Sequence, residues 1–304
     1  VHIIAFEGKE NKLLWFLKLK SRVKKLLKAN PNIKLIHLND GAMGVAALWL
    51  QKITQIPVVV TYHGLDITYP LTFFQKKLIP KLIKYKGTVC VSKFTSEQCI
   101  KRGFDPRTTF IVNNGVDLKL NEIPFDSAIT RKLVEKYGVD VTDKKIIMGT
   151  GRPVKRKGFS WFLKNVMPLL DNDVILILTG ALKKSQTFFD IFLRCFPKML
   201  RHKIQLLFGY PDDNKEVIEQ LKKQRNAVHL GRVSNEDLIQ IISLADLFVM
   251  PNINIPGDVE GFGLVALEAS VRGTYVLASG IQGITDAVIN NENGTLLPCG
   301  DSQA

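Results

Sequence analysis

"KKIIMGTG", residues 144–151, decides the architecture. It is a short β-type run that ends on a glycine-bearing turn, and it restarts an alternation that the preceding polar segment interrupts. Downstream, "DVILILTG" (173–180), "KIQLLFG" (203–209), "AVHLG" (227–231), "LFVMP" (247–251) and "YVLAS" (275–279) read as further strands. Helical patterns at 214–225, 234–244 and 263–272 lie between them. Apolar strands followed by helices predict a parallel sheet covered on both faces.

The same pattern runs upstream. "KLIHLN" (34–39), "PVVVTYH" (57–63), "GTVCVS" (87–92) and "TFIVNNG" (109–115) alternate with helical patterns at 11–29, 43–54, 73–85 and 94–102. Residues 118–143 are polar and mixed, with one helix. The expected fold is α/β: two Rossmann-like, doubly wound parallel-sheet domains over 1–120 and 121–304, with a linker near 117–143. Ligands of such sheets bind beyond the carboxyl ends of the strands, so paired domains predict a cleft between two sets of strand ends.

No apolar run approaches the ~18 residues of a membrane span, and no signal-peptide pattern is present. Cys90, Cys99, Cys195 and Cys299 form no CxxC pair, which predicts free thiols in a reducing, cytoplasmic setting. The histidines show no zinc-ligand spacing, so no metal site is expected. The formal charge of +14 is uneven: +13 falls on residues 1–120 and +1 on the rest. A basic half attracts polyanions, whether nucleic acid, anionic lipid or phosphorylated substrates. Nucleic acid is disfavoured, because no RNP, KH or helix-turn-helix pattern accompanies the charge.

Residues 11–34 hold eight basic residues and no acid. The helix at 11–29 reads in two ways. It packs on the sheet with a lysine-rich solvent face, or it rests on anionic lipid headgroups with Trp15 and Phe16 near the interface. "FFQKKLIPKLIKYKG" (73–87) is a weaker candidate of the same kind, interrupted by Pro80.

Three stretches can carry chemistry. In "MGTGRPVKRKGF" (148–159) a strand end is followed at once by Arg152, Lys155, Arg156 and Lys157. Cations at such a strand end can neutralise a diphosphate, although a plain basic loop before a helix has the same pattern. In "VTYHGLD" (60–66) His63 closes an apolar strand ahead of Gly64, either as a structural group or facing the cleft. In "EGFGLVALEAS" (260–270) Glu260 precedes two glycines and a helix start, whose first amides favour anions. Glu268 lies within that helix among apolar residues, which is awkward for a surface acid.

Together these stretches resemble the retaining glycosyltransferases of family 4, the glycosyltransferase group 1 set. "EGFGLVALE" is similar to the family's E-x7-E motif and "GRPVKRKG" to its GRxxxxKG. "VVVTYHG", "VCVSKFTSEQ", "IVNNGVD" and "VHLGRVSNEDLIQIISLADLFVMPN" follow in the family's order. The resemblance covers about residues 35–300. It implies a GT-B fold and retaining transfer of a sugar from a nucleotide-diphosphate donor, a UDP- or GDP-sugar, with no obligatory metal.

By the same resemblance, Arg152 and Lys157 neutralise the diphosphate and Glu268 accepts from the ribose. Glu260 and the Gly261, Phe262, Gly263 and Leu264 backbone meet the donor sugar and phosphates. His63 sits by the transferred sugar, and Arg232 and Val233 lie by the base. His63 and Glu260 are the catalytic candidates. The expected acceptor is an envelope glycan or a lipid-linked glycan, as in polysaccharide biosynthesis, reached from the inner face of a membrane through residues 11–29. A soluble acceptor is the nearest alternative, and an epimerase or hydrolase of the same architecture the next. Against the family pattern, the chain is expected to lack the first strand with its glycine-rich loop, and the last helices.

Overall fold

The structure is a computed structural model that describes residues 1–182 and 212–303, together with residues 196, 197, 201, 204 and 205. Among the described residues ten strands form two sheets. The first holds β1 (Ile36–Leu38), β2 (Val58–Tyr62), β3 (Gly87–Cys90) and β4 (Thr109–Ile111), in that spatial order. The second holds β5 (Lys145–Thr150), β6 (Val174–Thr179), β7 (Ala227–His229), β8 (Leu247–Met250), β9 (Tyr275–Ser279) and β10 (Gly294–Leu297), ordered β10-β9-β8-β5-β6-β7. Every neighbouring pair is parallel.

In the second sheet the chain steps outward from β5 through β6 to β7. It then crosses back to lay β8 on the other side of β5. The winding reverses between β5 and β8, and a crevice opens at such a switch point. The basic loop leaves β5 and the "EGFG" turn lies beyond β8, so both flank that crevice.

The continuous apolar strands are explained by burial on two faces. Ile147 and Leu176 enter one core cluster, with Phe159, Leu163 and Val249. Their chain neighbours Met148 and Ile177 enter the other, with Phe248, Ala266 and Val276. The first sheet packs around Val60, Tyr62, Leu82 and Cys99.

Several sequence expectations need adjustment. β10 was not expected, because "GTLL" is four residues long and half polar. The strand expected at 203–209 lies mostly outside the described residues, and residues 204 and 205 are helical. The pattern at 43–54 divides into helices Gly41–Ala46 and Leu50–Ile53. The pattern at 73–85 is a π-helical turn, Phe74–Leu78, leading into Ile79–Leu82. Pro80 fits there because the first turn of a helix needs no N–H at that position.

The helix Lys12–Ala29 is capped by Asn11, whose side chain accepts from the amides of Leu13 and Leu14. Trp15 and Leu19 are buried, whereas Leu13 and Leu17 are 70% and 72% exposed. The expectation of Trp15 at a lipid interface is therefore corrected. Trp15 and Leu19 are four apart and share the protein-facing side, while Leu13 and Leu17 share the outward one. Phe6 and Phe16 stand edge-on to the Trp15 ring.

The linker is divided between the sheets. Val112 N donates to Cys90 O in the first. From Leu120 onward the chain is fastened to the second: Arg272 Nη1 donates to Leu120 O and Ile123 O, and Gln240 bonds both Pro124 O and Asp126 N. The change-over falls within residues 113–119.

Candidate functional site

Glycines shape the floor of the crevice. A Cβ on Gly180 would lie 2.0 Å from Gly151 O, and Gly180 N donates to Gly231 O at 2.9 Å. The ends of β5, β6 and β7 therefore meet backbone to backbone. The basic loop forms a 3-10 turn, Lys155–Lys157, ended by Gly158 at φ +69°. A Cβ there would sit 1.8 Å from Pro251 O, so glycine is what lets the loop lie against the end of β8.

That approach creates an ion-pair network. Glu260 Oε2 is 2.8 Å from Lys157 Nζ and 3.5 Å from Arg156 Nε, and Asn252 Nδ2 donates to it at 3.2 Å. Arg156 Nη1 lies 3.2 Å from Asp258 Oδ1. Burial pushes the Glu260 carboxyl up, but Lys157 and Arg156 outweigh it and hold the group below its ordinary value. At Asp258 burial prevails over Arg156 and the carboxyl is raised.

Beyond the network Gly263, at φ +98°, opens the helix Leu264–Val271, and no side chain caps it. Leu264 and Val265 at its start line the crevice, and Ala266 N turns back to Gly263 O at 2.9 Å. Glu268 lies half-buried one turn further on, raised by burial, with no hydrogen bond or ion pair among the described residues. Arg152 is exposed; its guanidinium acts on the Asp258 carboxyl through its charge, with no hydrogen bond or ion pair among the described residues.

The first sheet supplies the opposite wall. His63 follows β2, and a Cβ on Gly261 would lie 1.9 Å from His63 O. Gly64, at φ +106°, packs on the Gly261 Cα. A cavity of about 250 Å³ opens between the two sheets. His63, Val91 and Asn114 line one side; Lys157, Glu260 and Gly261 through Val265 line the other. Of the expected residues, His63, Lys157, Glu260, Gly261, Phe262, Gly263 and Leu264 are thus brought together. Phe262 is buried and offers mainly backbone. Arg152, Glu268, Arg232 and Val233 do not line this cavity. Arg232 is exposed just after β7, with Val233 half-buried beside it.

Residues 131–304 match the family described as glycosyl transferases group 1, and residues 2–120 match Glycosyltransferase Family 4. The chain belongs to the group 1 glycosyl transferases. It is 23% identical over 279 residues to a D-inositol 3-phosphate glycosyltransferase of Corynebacterium glutamicum, covering 86% of this chain and 60% of that one. It is 26% identical over 309 residues to a phosphatidyl-myo-inositol mannosyltransferase of Mycobacterium leprae, covering 99% and 69%. Anabaena HepE, solved with UDP and glucose, superposes with a TM-score of 0.67 at 22% identity, covering 94% of this chain and 70% of that one. A Rickettsia africae glycosyltransferase superposes with a TM-score of 0.70 at 20% identity, covering all of this chain and 72% of its own. The fold is therefore GT-B, and this chain spans about three-fifths of the C. glutamicum relative's length.

Within this group 1 glycosyl transferase, several site residues were not singled out from sequence. Arg156 stood in the basic run, but spacing alone does not say which of its four cations turns inward. Asp258 carries no motif, and Asn252 ends the "LFVMPN" stretch without an assigned role; both are found only through their partners. Asn114 lies in the "IVNNGVD" stretch after the fourth strand but was assigned no role.

His229 lies outside this cavity and was not singled out either. Its Nδ1 accepts from Gly231 N at 3.0 Å, which holds the turn that carries Arg232. Burial lowers its pKa from 6.5 to about 4. The native state thus prefers the neutral ring, so the stability it contributes is present above pH 6.5 and is lost as pH falls towards 4. Thermal unfolding of wild type and His229→Gln should diverge at pH 7.5 and converge near pH 4. Parallel pH profiles would contradict this assignment.

Among the described residues, no helix is long and apolar enough to cross a membrane.

Proposed function

We propose that the crevice binds a nucleotide-sugar donor and that the protein transfers the sugar, with retention, to a glycan or lipid-linked acceptor. One observation carries the reading: a cationic loop and an uncapped helix N-terminus meet at the switch point of the second sheet, in a cavity closed by His63 of the first. Departure of a nucleoside diphosphate develops negative charge. Preorganised cations and amides stabilise that charge as it forms, so the proposed reaction needs no obligatory metal.

In this reading Arg152 and Lys157 face the diphosphate, with the Leu264 and Val265 amides beside them. Glu268 accepts from the ribose, Arg232 and Val233 flank the base, and Glu260 holds Lys157 and meets the sugar. His63 lies beside the transferred sugar. A uridine donor is favoured because HepE is solved with UDP and with UDP-glucose. The relatives are named for D-inositol 3-phosphate, for phosphatidyl-myo-inositol and for capsular polysaccharide biosynthesis, which favours a polyol or glycan acceptor.

The basic face of the Lys12–Ala29 helix, with Leu13 and Leu17 outward, suits an anionic membrane surface. The same charge suits a soluble phosphorylated acceptor, as the inositol 3-phosphate enzymes suggest. Co-sedimentation with vesicles separates these. Membrane engagement requires more bound protein when anionic lipid is added, and a soluble acceptor requires no change.

The donor reading is tested by thermal shift against UDP-, GDP-, ADP- and TDP-sugars, since a ligand at 100 times its Kd adds about 2.7 kcal/mol to native stability. Glu268→Ala should weaken donor binding, with turnover at saturation less affected. Arg152→Ala should lower both. Unchanged donor affinity in both folded variants would remove these residues from the site.

A further inference from the structure

We infer that Asp66 is a positioning residue, whose carboxylate fixes the His63 imidazole with Nε2 protonated and leaves Nδ1 as the nitrogen offered to a sugar or acceptor hydroxyl. The inference deepens the functional reading and rests on it for the identity of that hydroxyl. The geometry of the ring itself does not depend on that reading.

His63 Nε2 lies 2.8 Å from Asn39 O. A carbonyl oxygen only accepts, so Nε2 carries the hydrogen and a neutral ring keeps its lone pair on Nδ1. The bond joins two separate strand-end loops. Asn39 follows β1, and His63 follows β2. Asp66 ties these loops to each other, because Oδ1 accepts from His63 N at 2.8 Å and Oδ2 from Gly41 N at 2.9 Å. One carboxylate therefore holds the backbone of both partners in the ring's hydrogen bond.

The surroundings leave little freedom. Asp40 accepts from Met43 N at 2.6 Å and so fixes the residue next to Asn39. A Cβ on Gly41 would lie 3.1 Å from both Asp66 O and the Tyr62 ring. On the far side the His63 carbonyl abuts Gly261 of the second sheet. A shift of the His63 turn would thus move a catalytic candidate and the seam between the sheets together. Burial, opposed by these two amides, raises the Asp66 carboxyl. The group stays in place because both its oxygens have partners.

Asp66→Asn keeps the shape but sets an NH2 against one of the two amides. Asp66→Ser keeps one oxygen and adds no such clash, and it serves if the first variant does not fold. The tautomer is read by long-range proton–nitrogen NMR on the labelled full chain, with His63 assigned by its loss in His63→Gln. Wild type should show the Nε2-protonated form alone, and both Asp66 variants a mixture. Sugar transfer in the variants should fall about 10- to 100-fold, the scale of a small misplacement of a catalytic group. Affinity for UDP alone, whose proposed contacts lie on the second sheet, should stay unchanged. A variant that keeps the single tautomer, or keeps wild-type turnover, overturns the inference. A wild type that binds no nucleotide overturns the donor reading instead, and the tautomer comparison still decides the role of Asp66.

Discussion

Lys157→Ala is expected to lower sugar transfer by about 10²- to 10³-fold, the scale of removing one preorganised group from a developing charge. Two losses combine in this variant. The proposed leaving diphosphate loses a cation, and the Glu260 carboxylate loses its 2.8 Å partner. Breaking a buried pair by deleting one member costs about 3–5 kcal/mol when nothing else compensates. Arg156 Nε at 3.5 Å and Asn252 remain, so the stability loss should fall below that range. Lys157→Ala combined with Glu260→Gln separates the two effects. Thermal stability should recover in the double variant, whereas transfer should not. Recovery of both would make Lys157 a purely structural partner.

Gly261→Ala is the second large effect. The new methyl would sit 1.9 Å from His63 O, well inside van der Waals contact. The backbone has little room to retreat, because a Cβ on Gly283 would already be 1.9 Å from Gly261 O. The two sheets must therefore part at this seam. Transfer should drop by about 10²-fold, since a displacement of about 1 Å between reacting groups suffices for that. Affinity for UDP should change far less, because its proposed contacts are made by the second sheet. Gly64→Ala should act in the same direction, with the added strain of a side chain at φ +106°. Wild-type turnover in Gly261→Ala would show that the seam is not required.

The sheets were legible because burial on both faces demands unbroken apolar strands. Ile146–Met148 and Ile175–Leu178 could not be read as alternating, half-exposed strands, and the structure sends adjacent residues to opposite core clusters. The cleft was legible because Gly151, Gly261 and Gly263 punctuate strand ends and helix starts. The orientation of individual side chains was not legible. Trp15 and Leu13 are equally apolar in sequence, and only packing decides that the first is buried and the second exposed. Likewise, Lys157 was expected to face a phosphate, but it is engaged with Glu260. Both residues were expected around one diphosphate, but nothing in one dimension shows that they pair with each other. Asp66 escaped notice for a related reason: its partners are main-chain amides, which no side-chain motif reports.

The pairing of Lys157 with Glu260 gives the account its most direct test. The chain should be crystallised with the nucleoside diphosphate that the thermal screen selects. The predicted result is a diphosphate within hydrogen-bond distance of Lys157 Nζ and of the Leu264 and Val265 amides, with Arg152 turned towards it and Glu268 on the ribose. A nucleotide bound elsewhere, with the crevice between β5 and β8 vacant and these groups unmoved, would contradict it.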